Sequence, residues 1–259
     1  AAEDAAALAE RRRAMLASVV FVLDAPARLD ISLSQWDFKA CVELIEGVRK
    51  LRTSDALPRN ALKGHDALRQ FEAMEARVAE KLKQRLSDMS LSAGQTRQIV
   101  GHLQRVTSDE RALAILLESR REQAAARVGK ELRDATPSGV AQEVCGFAFR
   151  LMRSTWDDVQ ACFGHDGTAL SAVLAWSVEL LNSVLAGVVA RVSQEVQSNA
   201  LKVAAVTTVH SLYNATIPKE LACAFLVRRH LTPLVASLQK PVATADKEAL
   251  VALSYKLVN

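Results

Sequence analysis

The chain has 259 residues, half of them hydrophobic, with a formal net charge of +4. That much apolar content excludes a disordered chain, and the small charge excludes nucleic-acid binding driven by charge alone. Ten Gly, six Pro and four Cys are few for this length. Helix-favouring Ala, Leu, Arg, Glu and Gln abound, so an all-α protein is expected.

The first helix is expected over Ala5 to Leu23, with Ala25 and Pro26 breaking it and Pro26 opening a short helix from Ala27 to Leu33. Phe38, Cys41, Val42, Ile45, Val48 and Leu51 then recur at three and four, the period of an amphipathic helix. Residues 53–65 hold Pro58, Asn60 and Gly64 and read as a loop. From Asp66, the face Leu68, Phe71, Met74, Val78, Leu82 and Leu86 marks another helix. A shorter one is expected over Ala93 to Val106, with Ile99 and Leu103 inward. Ser108 is a good N-cap for the next, which presents Leu113, Leu117, Ala124, Val128 and Leu132 until Thr136 to Gly139 stop it.

Val140 to Phe163 reads as an apolar helix. Gly167 to Val192 follows, apolar over most of its circumference, with Glu179 its single charge before Arg191. A helix of this kind is either buried on nearly all sides or lies in a membrane. A carboxylate near the middle disfavours the bilayer, at about 2.5–3.5 kcal/mol. Ser171, Ala175, Glu179, Asn182 and Ala186 form a narrow small-and-polar stripe, expected to be a seam open to water or to a neighbouring helix. Helices are then predicted over Asn199 to Tyr213 and from Pro218 to Leu231, with Pro233 kinking or splitting the pattern. Pro241 ends it, and Thr244 opens a last helix to Leu257.

The charge is uneven. Residues 1–135 carry 23 basic and 20 acidic groups, and residues 136–259 carry 10 and 9. Two domains are therefore expected, a charge-rich helical bundle over 1–135 and an apolar one over 136–259. Consecutive helices with short links pack antiparallel, giving about ten helices in hairpins.

No site of chemistry is expected: no catalytic residue, no cofactor and no metal. Cys162, His165 and Asp166 lie close in sequence, yet no CxxC or HxxxH pair completes a zinc site. Asp157 and Asp158 are adjacent, so on a helix they point about 100° apart and do not converge; they read as a solvated patch. The standard phosphate, dinucleotide, nucleophile-elbow and zincin motifs are absent. The four Cys are expected as buried free thiols. Arg11, Arg12 and Arg13, and Arg228, Arg229 and His230, form short basic clusters that read as solvated faces, with anionic lipid or an acidic partner as the alternative.

Two segments resemble a known family. Residues 19–51 carry Pro26, Leu29, Leu33, Phe38, Ala40, Leu44 and Ile45 in the places of an apolar helix, a break, a short Leu-rich helix and an aromatic-led helix. Residues 99–128 carry Leu103, Arg105, Ala112, Leu116, Leu117, Ser119 and Arg120. Downstream, Phe149, Thr155 and the block from Leu174 to Val189 add to the match. Together they resemble the C-terminal helical domain of the exocyst complex component eight family, a subunit of a multisubunit vesicle-tethering complex. Thr107 and Ser108 stand where that family has a Gly, and residues 212–218 depart from it.

The resemblance implies an elongated stack of antiparallel helix hairpins, with the two bundles packed end to end as one continuous rod. It implies a non-catalytic cytoplasmic subunit, peripheral at plasma-membrane exocytic sites. Other exocyst subunits would be its partners, with small GTPases and an anionic membrane surface as further ones. Any small-GTPase contact carried by the family's upstream region is not assigned to these residues. Arg120, Arg121, Arg127, Arg228 and Arg229 are the partner-binding candidates, because arginines anchor helical interfaces well. The alternatives are a subunit of another tethering complex or a lipid- or ligand-binding helical module. In the latter, the Ser171–Glu179–Asn182 stripe would line an apolar cavity.

Overall fold

A computed structural model describes residues 2–54, 66–196, 198–221 and 223–238. Among these every regular element is helical: α1 (Ala2–Ser34), α2 (Phe38–Thr53), α3 (Asp66–Leu86), α4 (Ala93–Val106), α5 (Asp109–Asp134), α6 (Gly146–Phe163), α7 (Gly167–Glu195), α8 (Asn199–Thr216) and α9 (Ala224–Ala236). The all-α expectation holds. Most of the predicted 53–65 loop, the stop at Pro241 and the helix from Thr244 to Leu257 lie outside the described residues. The chain divides into two compact units, Ala1–Ala112 and Leu113–Asn259. The division falls in the first turn of α5, upstream of the boundary at residue 135 that charge content suggested.

The first unit is built on α1, which packs against α2 and α3. Asp37 opens α2 by accepting a hydrogen bond from the Ala40 amide at 3.0 Å. Its buried side chains, Cys41, Val42, Leu44, Ile45 and Val48, follow the helical period. Each large aliphatic removed from water stabilises by about 1.5–3 kcal/mol. On α3, Phe71, Met74, Val78, Leu82 and Leu86 are buried, while Leu68 is half-buried. Ser92 and Gln95 form a reciprocal capping box at the start of α4, which satisfies two otherwise orphaned amides.

Pro26 does not break α1. The helix runs through it, and the two predicted segments are one element. The missing N–H costs roughly 3 kcal/mol in a helix interior. Val22, Ala25, Leu29 and Leu33, all at most 6% exposed, pack around it and offset that cost. Tertiary packing overrides local propensity here. Pro233 likewise lies within α9 without splitting it, flanked by buried Leu231 and Leu234.

In the second unit, α7 packs against α6, α8 and α9. Asp166 caps it, accepting from the amides of Thr168 at 3.4 Å and Ala169 at 3.1 Å. By length and composition alone α7 could cross a bilayer. Its apolar side nevertheless faces protein: Val173, Trp176, Leu181, Val184, Leu185 and Val188 are each at most 1% exposed.

Two starts differ from the sequence pattern. The run predicted from Val140 opens as a π-helical turn, Ala141–Cys145, before α6. The wider turn brings Ala141, Val144 and Cys145 inward together, beside α8. Pro218 starts only a 3₁₀ turn, Lys219–Leu221, and α9 begins at Ala224. Leu221 and Cys223 are fully buried, so the chain dips into the core before the helix starts.

Candidate partner-binding surfaces

The predicted arginines have different fates. Arg120 turns inward from α5. One guanidinium nitrogen donates to Gln123 Oε1 at 2.9 Å and the other terminal one to Asp158 Oδ2 of α6, also at 2.9 Å. The side chains of the pair are 13% and 2% exposed. Burial pushes the guanidinium below its ordinary range, and the Asp158 carboxylate opposes that shift. Arg120 is thus an internal tie. The reading of Asp157 and Asp158 as a solvated patch is corrected by the same contact. Asp158 is buried, and only Asp157 lies toward solvent, bonded along the helix to Arg153 at 3.0 Å. The residues are neighbours in sequence, but the helix sends them to different environments.

Arg121 and Arg127 are exposed on α5. Arg121 donates twice to Glu179 Oε2 of α7, at 3.1 and 2.9 Å. Arg127 pairs along its own helix with Glu131 at 2.6 Å. Both arginines are about half exposed, so these pairs contribute little to stability. On α9, Arg229 is exposed and Arg228 half-buried. Arg11, Arg12 and Arg13 are all exposed on α1.

Between α5 and α7 runs a groove of about 410 Å³. Its walls are apolar, from Ala124, Val128 and Leu132 on one side and Leu180 and Val184 on the other. The Arg121–Glu179 pair lies at one end. Leu132 approaches α7 at Gly187, where a Cβ would come within 2.8 Å of a Leu132 methyl. The glycine therefore permits a close approach that no other residue allows unchanged.

The polar stripe of α7 is a seam open to water. Ser171, Ala175, Glu179 and Ala186 are exposed. Asn182 is half-buried, its Oδ1 accepting from His230 Nε2 of α9 at 2.9 Å. Burial and the nearby Arg229 hold His230 below its ordinary pKa.

The Cys162–His165–Asp166 group is the junction between the end of α6 and the start of α7. Asp166 is engaged by two α7 amides, His165 is exposed and Cys162 half-buried. Among the described residues, no three His, Cys, Asp or Glu side chains gather to hold a metal. We expect Asp166→Ala to lower stability by about 1 kcal/mol, read as a shift in the urea midpoint. Cys41, Cys145 and Cys223 are buried, and burial raises their thiols to about 11, 12 and 11. At neutral pH they are not nucleophiles.

Three surface features escaped sequence reasoning. Arg105 grips Glu46 with two bonds of 2.6 Å. Arg49 reaches the carbonyls of Arg105 and Val106 at the end of α4. Trp36 is 54% exposed at the turn between α1 and α2. The signal for the last was available: an aromatic in a helix break.

The described residues form an all-helical scaffold, tied internally by arginines and presenting open grooves. The family model for the exocyst component 84 C-terminal region matches residues 20–213. The chain therefore belongs to that family, the one the sequence resembles. No curated protein matches the chain.

Proposed function

We propose that this chain is the C-terminal helical part of an exocyst subunit that acts without catalysis. It pairs with other exocyst subunits through helix surfaces and so helps hold secretory vesicles at the plasma membrane before fusion. It works from the cytoplasmic side, as a peripheral component. Exposed Arg121, Arg127 and Arg229 are its contact candidates on the second unit. Small GTPases and an anionic membrane surface, the latter through Arg11 to Arg13, are further partners of this reading.

One observation separates this reading from a lipid- or ligand-binding module. A ligand pocket would use the Ser171–Glu179–Asn182 stripe as the polar lining of an enclosed apolar cavity. Instead Ser171 and Glu179 lie open to water, and Asn182 is bonded to His230. That arrangement supports a packed scaffold with a wet seam.

The test is affinity purification of the tagged full-length protein from its source cell, followed by mass spectrometry. We expect several other exocyst subunits to co-purify in stoichiometric amounts. Their absence, with a lipid or metabolite retained instead, would overturn the proposal.

A further inference from the structure

The end of α1 carries a residue that ending a helix does not require. Beyond Ser34, the Trp36 amide donates to Leu33 O at 3.1 Å and the Asp37 amide to Ser32 O at 3.0 Å. This pair of back-bonds is the Schellman ending, which places the residue before the last donor in the left-handed region. That residue is Trp36, with φ of 59°, and it is the only non-glycine with positive φ among the described residues. Glycine dominates this position because a Cβ crowds the following carbonyl. A tryptophan here destabilises the turn, and burial does not offset it, since the side chain is 54% exposed. Strained residues that persist on a surface point to a use for the side chain.

The indole is held in place. The Lys81 ammonium lies 5.3 Å from its centroid. Phe38 meets it edge-on, with centroids 5.9 Å apart and an interplanar angle of 88°. Beside it opens a groove of about 440 Å³ lined by Phe38, Arg85, Gln98, Ile99 and His102. Its floor is apolar, from half-buried Phe38 and buried Ile99.

The charges around the groove are arranged unequally. Asp37 accepts from the Ala40 amide, and Asp88 Oδ1 accepts from the amide and hydroxyl of Ser90 at 2.9 and 2.6 Å. These carboxylates serve the fold. Burial, with Arg105 nearby, holds His102 below its ordinary range, which disfavours a positive charge on this ring. Lys81 and Arg85 remain as the cations. Arg85 bonds Asp88 at 2.8 Å, but the pair is 44% and 33% exposed. Such a surface pair is weak enough to exchange partners.

We propose that Trp36 and this groove form a docking site for a segment of a partner protein. The segment inserts one large apolar side chain beside the indole and presents carboxylates to Lys81 and Arg85. Tryptophan and arginine beside a concave pocket are the usual composition of an interface hot spot. A bilayer has no projecting side chain to fill a concavity of this size, which is why a protein segment is the occupant. The inference rests on the proposed scaffold role only in taking another polypeptide as the ligand.

The test is panning of a phage-displayed random peptide library against the full chain. We expect enriched peptides to carry Trp, Phe or Leu flanked by Asp or Glu. A synthetic consensus peptide should lose at least about tenfold in affinity on Trp36→Gly and on Arg85→Glu. Trp36→Gly should melt no lower than the parent, because glycine relieves the turn. Failure to enrich, enrichment of peptides without acidic residues, or equal binding by both variants would overturn the site. So would loss, in Trp36→Gly, of binding to phosphatidylcholine–phosphatidylserine vesicles without any peptide binding. A failed panning with intact co-purification of exocyst subunits rejects this groove alone. Peptide binding without those subunits rejects the exocyst role alone.

Discussion

Asp158→Ala is expected to destabilise the protein by about 3–5 kcal/mol, because it leaves the Arg120 guanidinium in a nearly closed space without its carboxylate. Arg120 is 13% exposed and Asp158 only 2%, so water cannot take over as partner. Arg120 Nε is already buried without a hydrogen-bond partner, and the bond that survives, to Gln123 Oε1, is to a neutral group. The charge itself is therefore what becomes costly. Replacing both residues, as Arg120→Met with Asp158→Leu, should recover most of the loss, since removing both charges also removes their desolvation. Glu179→Ala, which deletes the exposed partner of Arg121, should change stability by no more than about 1 kcal/mol. Urea denaturation of the three variants checks this. Equal costs for Asp158→Ala and Glu179→Ala would mean that burial does not separate the two pairs.

Trp176→Ala is the second large effect, expected to cost about 3–5 kcal/mol. Trp176 is 1% exposed, whereas Leu174, two residues away on the same helix, is 40% exposed. Leu174→Ala should stay within about 0.5 kcal/mol of the parent. The contrast is a direct test of α7 as a core helix. A helix facing lipid all round would show no such dependence on azimuth in aqueous denaturation. Near-equal shifts in the two urea midpoints would overturn the packing described for α7.

What could be read from the sequence follows from which forces act locally. The apolar faces of α2, α3 and α4 repeat at three and four, and capping chemistry is written in adjacent letters, so the bounds of α3 and α4 and the Ser108 cap are legible. The oxygen of Ser108 accepts from the Arg111 amide at 3.2 Å. Pro26 and Pro233 mislead because a proline's local cost is visible, while the packing that offsets it comes from distant residues. The chain divides at Ala112, in the first turn of α5. Apart from Arg120, most charges of α5 lie toward solvent, whereas Leu113, Leu116, Leu117, Ala124 and Val128 are buried. Charge content reports surface area, not packing partners. Arg120 and Asp158 lie 38 positions apart, and no spacing rule could have joined them.

Two helices here end on a guanidinium borrowed from elsewhere. Arg49 of α2 bonds the last carbonyls of α4, and Arg191 of α7 bonds Leu132 and Ala135 at the end of α5. Helix ends ordinarily fray, since their final carbonyls answer only to water. Here the last turn of α4 cannot open without releasing α2, nor that of α5 without releasing α7. Each arginine thereby converts a terminus, normally the least protected part of a helix, into a member of the cooperative opening unit. Amide exchange near these two ends is then governed by separation of a helix pair rather than by unwinding of a single turn.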